Sequence, residues 1–255
     1  MSLNYYGSLT LLKKEVLRFL KVYHQTLFSP VVNIVLFLAV FSLSVGGHIE
    51  NIQGVDFAVF MSAGLIMMSA LQNAFANSSS SFVMGKVMGH IVDYLIPPLG
   101  ALELLFAFGV GAILRGICVA FVAYIVILFF VPLKIFSFGH MVLYLLLGCS
   151  LLGMLGILCG IFSETFDHMS AMTSYVITPL TFLSGTFYST NSLPDFWREI
   201  SHFNPIFYMI DGFRFSLTGY SDGNLKVGII YLIILNLIIG LAIYKIFEKG
   251  YKIKH

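Results

Sequence analysis

Charged residues are scarce in this chain. Asp, Glu, Lys and Arg together make up 10% of its 255 residues, hydrophobic residues make up 58%, and the mean hydropathy is +0.93. A soluble domain carries about 25% charged residues to solvate its surface, so this composition excludes a water-soluble globule and predicts an integral membrane protein. The net charge of +2 is too small to suggest a nucleic-acid partner, and the basic residues lie near the chain ends rather than in one patch.

The sequence also lacks the motifs of several catalytic and cofactor-binding classes. Its three cysteines have neither metal-ligand nor redox spacing, and they lie in apolar runs at Cys118, Cys149 and Cys159. A phosphate-binding loop of the form G-x-x-x-x-G-K-[ST] is absent, because Gly85 and Lys86 are followed by Val87 and no glycine stands five residues before Gly85. We therefore expect no metal site, no cofactor bound by this chain and no catalytic residue in it.

Carboxylates are missing from the apolar runs as well. Every Asp and Glu falls at or outside the end of such a run, whereas ion-driven transporters and proton relays place carboxylates at membrane depth. This distribution argues against a transporter that powers itself with an ion gradient. Glu164, Asp167 and His168 lie close together, but a solvated turn between two helices is favoured there over a metal site.

The intervals between charged residues predict the architecture. A hydrocarbon core about 30 Å thick needs roughly 20 apolar residues in a helix, and the alternating pattern of a membrane barrel is absent. The fold class is therefore an all-α integral membrane protein with six transmembrane helices, at about 27–45, 57–77, 104–131, 139–162, 169–188 and 226–246. The distribution of Lys and Arg between the two sides predicts that both termini are cytoplasmic.

The segment before the first span is basic and amphipathic. Residues 9–24 place apolar side chains on one helical stripe, and Lys13, Lys14 and Arg18 fall largely on the other side. This pattern predicts a helix lying in the cytoplasmic membrane surface. A simple topology anchor and an additional contact with a partner are both open interpretations.

A second amphipathic segment follows the second span. Residues 82–95 repeat apolar side chains at helical spacing, with Lys86, His90 and Asp93 on another face, before Pro97 and Pro98 stop the helix. A docking helix for a cytoplasmic partner and an ordinary interfacial helix fit this pattern equally well.

Three further features concern packing and the outer side. Segment 189–224 concentrates aromatic residues and predicts short helices at the outer headgroup level, with a structural aromatic belt as the favoured role. The fifth span contains Pro179 among hydroxyl side chains, which predicts a kink and either a substrate path or backbone compensation around the proline. Gly156 and Gly160 form a Gly-x-x-x-Gly pair, which permits close contact between helices.

The run Ile177-x-x-Leu180-x-x-Leu183-Ser184-x-Thr186 is followed by Leu193-Pro194 and, after ten residues, by Pro205-Ile206-x-Tyr208-x5-Arg214. This pattern resembles the signature of the ABC-2 type permeases, the membrane subunits of bacterial ABC exporters. Thr186 departs from the smaller or aliphatic residue usual at that point. The segments FMSAGLIMMSALQNAFANSSSSF, ILRGICVAFV, SETFDHMS and TPLTFLSGTFYS resemble the YadH-like branch of the family. The similarity covers nearly the whole chain.

This resemblance implies a mechanism that the residues alone do not. Family members pair as dimers in the bacterial inner membrane, with cytoplasmic termini, and each dimer docks two copies of a separate P-loop ATPase that binds ATP and Mg²⁺. Residues 82–95 match the coupling helix of the family, residues 9–24 match its interface helix, and 189–224 matches its outer re-entrant helices. ATP binding would draw the two coupling helices together and open a route between the protomers.

The resemblance and the patterns together assign four groups of residues. The ATPase-coupling group comprises Phe82, Lys86, Val87, His90, Ile91, Asp93 and Tyr94. The interface-helix group comprises Lys13, Lys14 and Arg18. The substrate-path group comprises Asn73, Tyr175, Thr178, Thr181 and Ser184. The outer-gate group comprises Trp197, Pro205, Tyr208 and Arg214.

The expected function is that of a homodimeric permease subunit in membrane lipid. It would move an amphipathic substrate, such as a glycolipid or polysaccharide, a lipid or a drug, out across the inner membrane with a separate ATPase. Two other classes stay open at this stage. One is a self-sufficient channel or facilitator, and the other is a membrane scaffold that transports nothing.

Overall fold

The computed structural model describes residues 4–44, 51–90 and 99–250, and these residues are almost entirely helical. The helices are α1 (Tyr5–Lys21), α2 (Ser29–Ser44), α3 (Phe57–Val87), α4 (Ala101–Leu128), α5 (Phe138–Phe162), α6 (Phe166–Met172), α7 (Thr178–Phe182), α8 (Asp195–Phe203), α9 (Pro205–Thr218) and α10 (Leu225–Lys249). Single π-helical turns join α1 to α2 at His24–Phe28 and α6 to α7 at Thr173–Ile177. A two-stranded hairpin, β1 (Asn51–Ile52) and β2 (Val55–Asp56), precedes α3.

Helix α3 is the centre of the bundle. It packs most extensively against α5 and α4, and nearly all of its side chains between Phe57 and Leu71 are buried. Helix α10 is the opposite case, because one long face of it, including Ile230, Ile234 and Leu237, is exposed. An apolar helix face that no protein covers is typical of a lipid-facing span. The core therefore lies between α3, α4 and α5, and α10 lines the outside.

Glycines allow α5 to approach α3 closely. A Cβ built at Gly156 would lie 2.4 Å from the carbonyl oxygen of Phe75, and one at Gly160 would lie 3.0 Å from the carbonyl oxygen of Ser79. The close helix contact predicted from the Gly-x-x-x-Gly pair is confirmed, because backbone of α3 occupies the space that larger side chains would need.

We expect Gly156→Ala to destabilise the protein by about 2 kcal/mol, because the new methyl group forces α3 and α5 apart. Gly109→Ala in α4 is the matched control, since a Cβ built there meets no atom within 4 Å. Ala also has the higher helix propensity, so this control should be neutral or slightly stabilising. Thermal midpoints of the two purified variants in detergent check the prediction, and equal midpoints would contradict it.

Five helical segments of the described residues are long and apolar enough to cross a membrane: His24–Phe41, Phe57–Val87, Ala101–Leu128, Phe138–Phe162 and Leu225–Lys249. They correspond to five of the six predicted spans. The remaining prediction, the fifth span at 169–188, has the wrong boundaries, because the helical run there extends from Phe166 to Phe182. That run is about 26 Å long, shorter than the hydrocarbon core of about 30 Å. Gly185, with φ of +73°, lies in the turn that follows it.

The boundary predicted between the second span and the coupling helix is also wrong. A single helix, α3, continues from Phe57 through Val87, so the predicted end at residue 77 and the predicted start at residue 82 both lie inside it. The serine run 78–81 does not break the helix, because the hydroxyls of Ser79, Ser80 and Ser81 form hydrogen bonds within the protein. Ser79 Oγ donates to the Phe75 carbonyl oxygen at 2.9 Å. Residues 91–95 of the predicted coupling helix lie outside the described residues.

The first helix and the segment 189–224 differ less from the predictions. Helix α1 begins at Tyr5 rather than at residue 9, because the Asn4 side chain caps it by accepting from the Gly7 N–H at 2.9 Å. The predicted outer segment 189–224 contains a short 3₁₀ turn and the helices α8 and α9. Whether these helices re-enter the membrane stays a prediction.

Candidate functional site

A buried carboxylate fastens α1 to the end of α3. Glu15 is 0% exposed, and it accepts a hydrogen bond from Ser81 Oγ at 2.7 Å. Arg18, one turn further along α1, donates to Glu15 at 3.0 Å, to the Asn77 carbonyl oxygen at 2.6 Å and to Ser80 Oγ at 3.1 Å. Because a buried charge is stable only when it is paired and hydrogen-bonded, this network holds α1 firmly on α3.

A second arginine, Arg115, contributes to the same region from α4. It donates to the Asn73 side-chain oxygen on α3 at 2.9 Å. Asn73, predicted to line the substrate path, is therefore a partner of Arg115. A cavity of about 860 Å³ opens between α1, the π-helical turn, α3 and α4. Its basic lining residues are Lys13, Lys14, Arg18, Lys21 and Arg115. The interface-helix residues predicted from sequence thus face a cavity that Arg115 shares.

The predicted ATPase-coupling residues occupy two different environments. Phe82 is a core residue, because it is 2% exposed and its ring lies 4.4 Å from that of Phe108 and 6.0 Å from that of Phe247 between ring centres. This burial corrects the assignment of Phe82 to a contact surface. Lys86 donates to the carbonyl oxygens of Ile161 and Ser163, so it joins α3 to the end of α5.

Two coupling residues remain at the surface. Val87 and His90 are exposed at the end of α3 and in the turn that follows it. Ile91, Asp93 and Tyr94 lie outside the described residues, so their role stays a prediction. From Val87 to His90 every residue of the predicted coupling segment is exposed, whereas before Val87 only Met84 is.

The hydroxyls predicted to line the substrate path mostly donate hydrogen bonds to backbone carbonyl oxygens near the end of α7. Thr181 is buried and donates to the Thr178 carbonyl oxygen at 2.7 Å, and Ser184 is buried and donates to the Thr181 carbonyl oxygen at 2.5 Å. This geometry supports backbone compensation for these two hydroxyls. Tyr175, by contrast, is 82% exposed.

A small polar pocket lies between α2 and α3. It has a volume of about 150 Å³, and its polar lining residues are Ser29, Asn33, Ser69, Gln72 and Asn73. Gln72 also lies 3.5 Å from Thr181 Oγ1, so the pocket is next to α7. Of these residues only Asn73 was predicted from sequence as a site residue, although the amides of Asn33 and Gln72 in apolar helices were a usable signal.

Arg214 is the centre of a buried ionic cluster at the opposite end of α3. It is 0% exposed, its guanidinium carbon lies 3.6 Å from the centre of the Phe60 ring, and its Nη2 donates to the Gly185 carbonyl oxygen at 2.6 Å. Asp211 and Asp222 each place a carboxylate oxygen 4.0 Å from the guanidinium. The cluster joins α9, α3 and the turn after α7.

Asp222 extends this cluster to the loop before α8. Its carboxylate accepts from Ser189 Oγ at 2.6 Å, from the Thr190 N–H at 3.1 Å and from Tyr220 Oη at 2.6 Å. Burial, and then the neighbouring Asp222 carboxylate, raise the pKa of Tyr220 above its usual range, so its hydroxyl remains a donor. Arg214 was predicted from sequence as a site residue, whereas its two carboxylate partners, Asp211 and Asp222, were not.

The other predicted outer-gate residues lie along α8 and α9. Trp197 is 48% exposed, next to the exposed Phe196, and Pro205 begins α9. Tyr208 packs against Tyr231 of α10, with ring centres 5.5 Å apart, and against Gly228. The exposed aromatic side chains of α8 are typical of the headgroup level of a membrane.

Comparisons with known proteins agree with this architecture. The family model described as ABC-2 type transporter matches residues 7–218. A protein of Escherichia coli strain K12 named inner membrane transport permease YadH is 36% identical over 237 residues, which cover 93% of each chain. The proteins of that name from Escherichia coli O157:H7 and Shigella flexneri match with the same identity and coverage. The five apolar helices, the family match and the full-length similarity agree, and the chain belongs to the ABC-2 type transporter family.

Proposed function

We propose that this chain is the membrane-spanning subunit of an ATP-driven exporter in the bacterial inner membrane. It works as a homodimer with a separate ATPase and moves an amphipathic substrate outward. The observation that carries the proposal is the similarity to inner membrane transport permeases over 93% of both chains. The absence of a P-loop motif from the sequence supports the assignment of ATP hydrolysis to another chain.

The proposed topology has six crossings and both termini on the cytoplasmic side. Three contacts support an even number of membrane crossings. Lys86 binds the carbonyl oxygens at the end of α5, and Phe82 stacks on Phe247 near the end of α10, so three helices end at one side of the bundle. Tyr144, near the start of α5, donates to the Leu225 carbonyl oxygen at the start of α10.

The chain between α5 and α10 must therefore return to the opposite side, and the run of α6, the π-helical turn and α7 makes that crossing. It begins next to the end of α5, and the turn after it reaches the beginning of α3, where a Cβ built at Gly64 would lie 2.6 Å from the Thr186 carbonyl oxygen. Its short length explains why it is not among the five segments that qualify by length and composition.

Coupling to the ATPase is proposed to act on the segment that follows α3. Helix α3 is a continuous rod of 31 residues, about 46 Å long, at the centre of the bundle. Lys86 fastens its last turn to the end of α5, and Glu15 and Arg18 fasten α1 to the same region. A force applied after Val87 would therefore move α1, α3 and α5 together, which is the rigid-body motion that an alternating pathway requires.

The proposed substrate route follows the pocket between α2 and α3. Asn33, Gln72 and Asn73 supply polar groups there, and apolar side chains including Ile34 and Leu65 complete the lining. A surface that mixes amides with apolar side chains suits an amphipathic substrate. The second protomer would close the pocket from the α2 side, where Val32, Leu36 and Val40 are exposed.

Purification of the tagged chain from native membranes in mild detergent tests this function. We expect a P-loop ATPase to co-purify at a near-equimolar ratio, identified by mass spectrometry, together with a dimer of this chain. An intact dimer that contains no ATPase, and that conducts or equilibrates substrates when reconstituted alone, would favour a channel or facilitator instead.

A further inference from the structure

The cavity beside α1 combines positive charge with apolar surface. Five basic residues line its volume of about 860 Å³: Lys13, Lys14, Arg18, Lys21 and Arg115. They come from α1 and from α4, two helices far apart in sequence. Leu17, Val22 and Met84, which also line the cavity, are large apolar side chains that remain exposed.

Each arginine of this cavity has an N–H group that forms no hydrogen bond within the described residues. Arg18 is bonded to Glu15 and Asn77, and Arg115 is bonded to Asn73. The Nε atoms of Arg18 and Arg115 are nevertheless buried, and neither has a hydrogen-bond partner within the described residues. Since five positive charges that share one cavity repel one another, a ligand with negative charge and several acceptor oxygens would stabilise the site.

The apolar lining selects among such ligands. A free phosphate ion would leave Leu17, Val22 and Met84 uncovered, whereas a phospholipid would place its glycerol and the start of its acyl chains against them. Arg115 lies on α4, an apolar helix long enough to span a membrane, and lines the cavity beside α1, so a lipid headgroup that enters this cavity would come within reach of its guanidinium group. Basic pockets between spanning helices are a recurrent form of headgroup site.

We propose that this cavity binds the phosphate headgroup of an anionic phospholipid from the leaflet in which α1 lies. Arg18 and Arg115 bind the phosphate oxygens, Lys13 and Lys21 supply the surrounding positive charge, and Leu17, Val22 and Met84 contact the acyl chains. The bound lipid fills the cavity and adds contacts between α1, α3 and α4.

Native mass spectrometry of the purified, delipidated complex titrated with phosphatidylglycerol tests the proposal. The test variant is Lys13→Gln/Lys21→Gln, in which both substituted side chains are exposed, so that the fold is retained. Each basic residue near an anionic surface strengthens binding about fivefold, so we expect lipid affinity to fall about 30-fold in the double variant.

Lys245→Gln/Lys249→Gln is the matched control, with the same change of charge. Both of its lysines are exposed on α10, at the end of the bundle that contains Phe82 and outside the cavity. This control should bind phosphatidylglycerol as the unmodified chain does, and an equal loss in both variants would overturn the proposal in favour of general attraction. Size-exclusion elution of each variant reports that the fold is retained.

Two further measurements distinguish an anionic lipid from inorganic phosphate and from an acidic protein surface. Millimolar inorganic phosphate should displace bound phosphatidylglycerol poorly, and displacement as effective as that by added phosphatidylglycerol would overturn the lipid assignment. If Lys13→Gln/Lys21→Gln lost a co-purifying ATPase but bound lipid as before, these lysines would bind an acidic surface of a partner protein and not a lipid. This last measurement separates failure of the lipid site from failure of the proposed transport function.

Discussion

Replacing Arg214 by Leu should destabilise the protein by about 3–5 kcal/mol, the cost typical of removing one partner from a buried ion pair. The substitution leaves the Asp211 and Asp222 carboxylates buried without their cation. It also removes the donor to the Gly185 carbonyl oxygen and the cation over the Phe60 ring. The measurement is the thermal midpoint of the purified chain in detergent, which should fall by roughly 10 °C.

Arg198→Leu is the matched control for that experiment. Arg198 forms an ion pair with Asp195 at the same three-residue spacing, on the neighbouring helix α8, but both side chains are exposed. Exposed pairs contribute at most about 1 kcal/mol, so this variant should melt within a few degrees of the unmodified chain. Comparable losses in the two variants would show that the burial of Arg214 does not matter.

The double substitution Val87→Glu/Asp93→Lys should abolish association with the ATPase. Val87 is exposed where α3 ends. The family resemblance predicts that Asp93, which lies outside the described residues, is a coupling residue. A charge in place of an apolar contact and a reversed charge within one docking segment should together weaken association at least 100-fold, because docking energy concentrates in few residues. Co-purification at fixed detergent concentration, quantified by mass spectrometry, measures the loss.

Asp195→Lys/Val227→Glu carries the same two chemical changes at the opposite end of the bundle. Asp195 and Val227 are both exposed, at the beginning of α8 and of α10. This control should retain the ATPase, and both double variants should still insert and elute as dimers. Unchanged association of Val87→Glu/Asp93→Lys would contradict the coupling role of the segment after α3.

The membrane spans could be predicted from sequence wherever contact with lipid or with the protein core requires a long run of uncharged residues. The intervals between charges located five helices within a few residues, apart from the end of α3. The predicted helix ends near residues 78–81 and 183–188 were wrong for the same reason. Serine and threonine hydroxyls can either end a helix or bond back to its carbonyl oxygens, and composition does not distinguish these outcomes.

The candidate sites were predictable only in part. Arg214 was assigned through the family resemblance, and Asp211 could have been found because it stands three residues earlier on an otherwise apolar helix. Asp222 could not, since a flexible-looking loop of Gly and Ser residues gives no sign that its carboxylate is buried. Glu15 was missed because the basic residues around it dominate the pattern of α1, and only the packing on α3 shows that it faces inward.

The burial of α3 has a consequence for how the chain is made. Among the five apolar segments α3 has the lowest mean hydropathy, and protein rather than lipid covers most of it. During synthesis α3 leaves the ribosome before α4 and α5, the helices that cover its serines and glycines, have been translated. Until α5 arrives, those small and polar groups face lipid or the insertion machinery. Membrane proteases and chaperones that survey unassembled helices would therefore meet this protein chiefly through α3, and truncation before α5 should leave a rapidly degraded fragment.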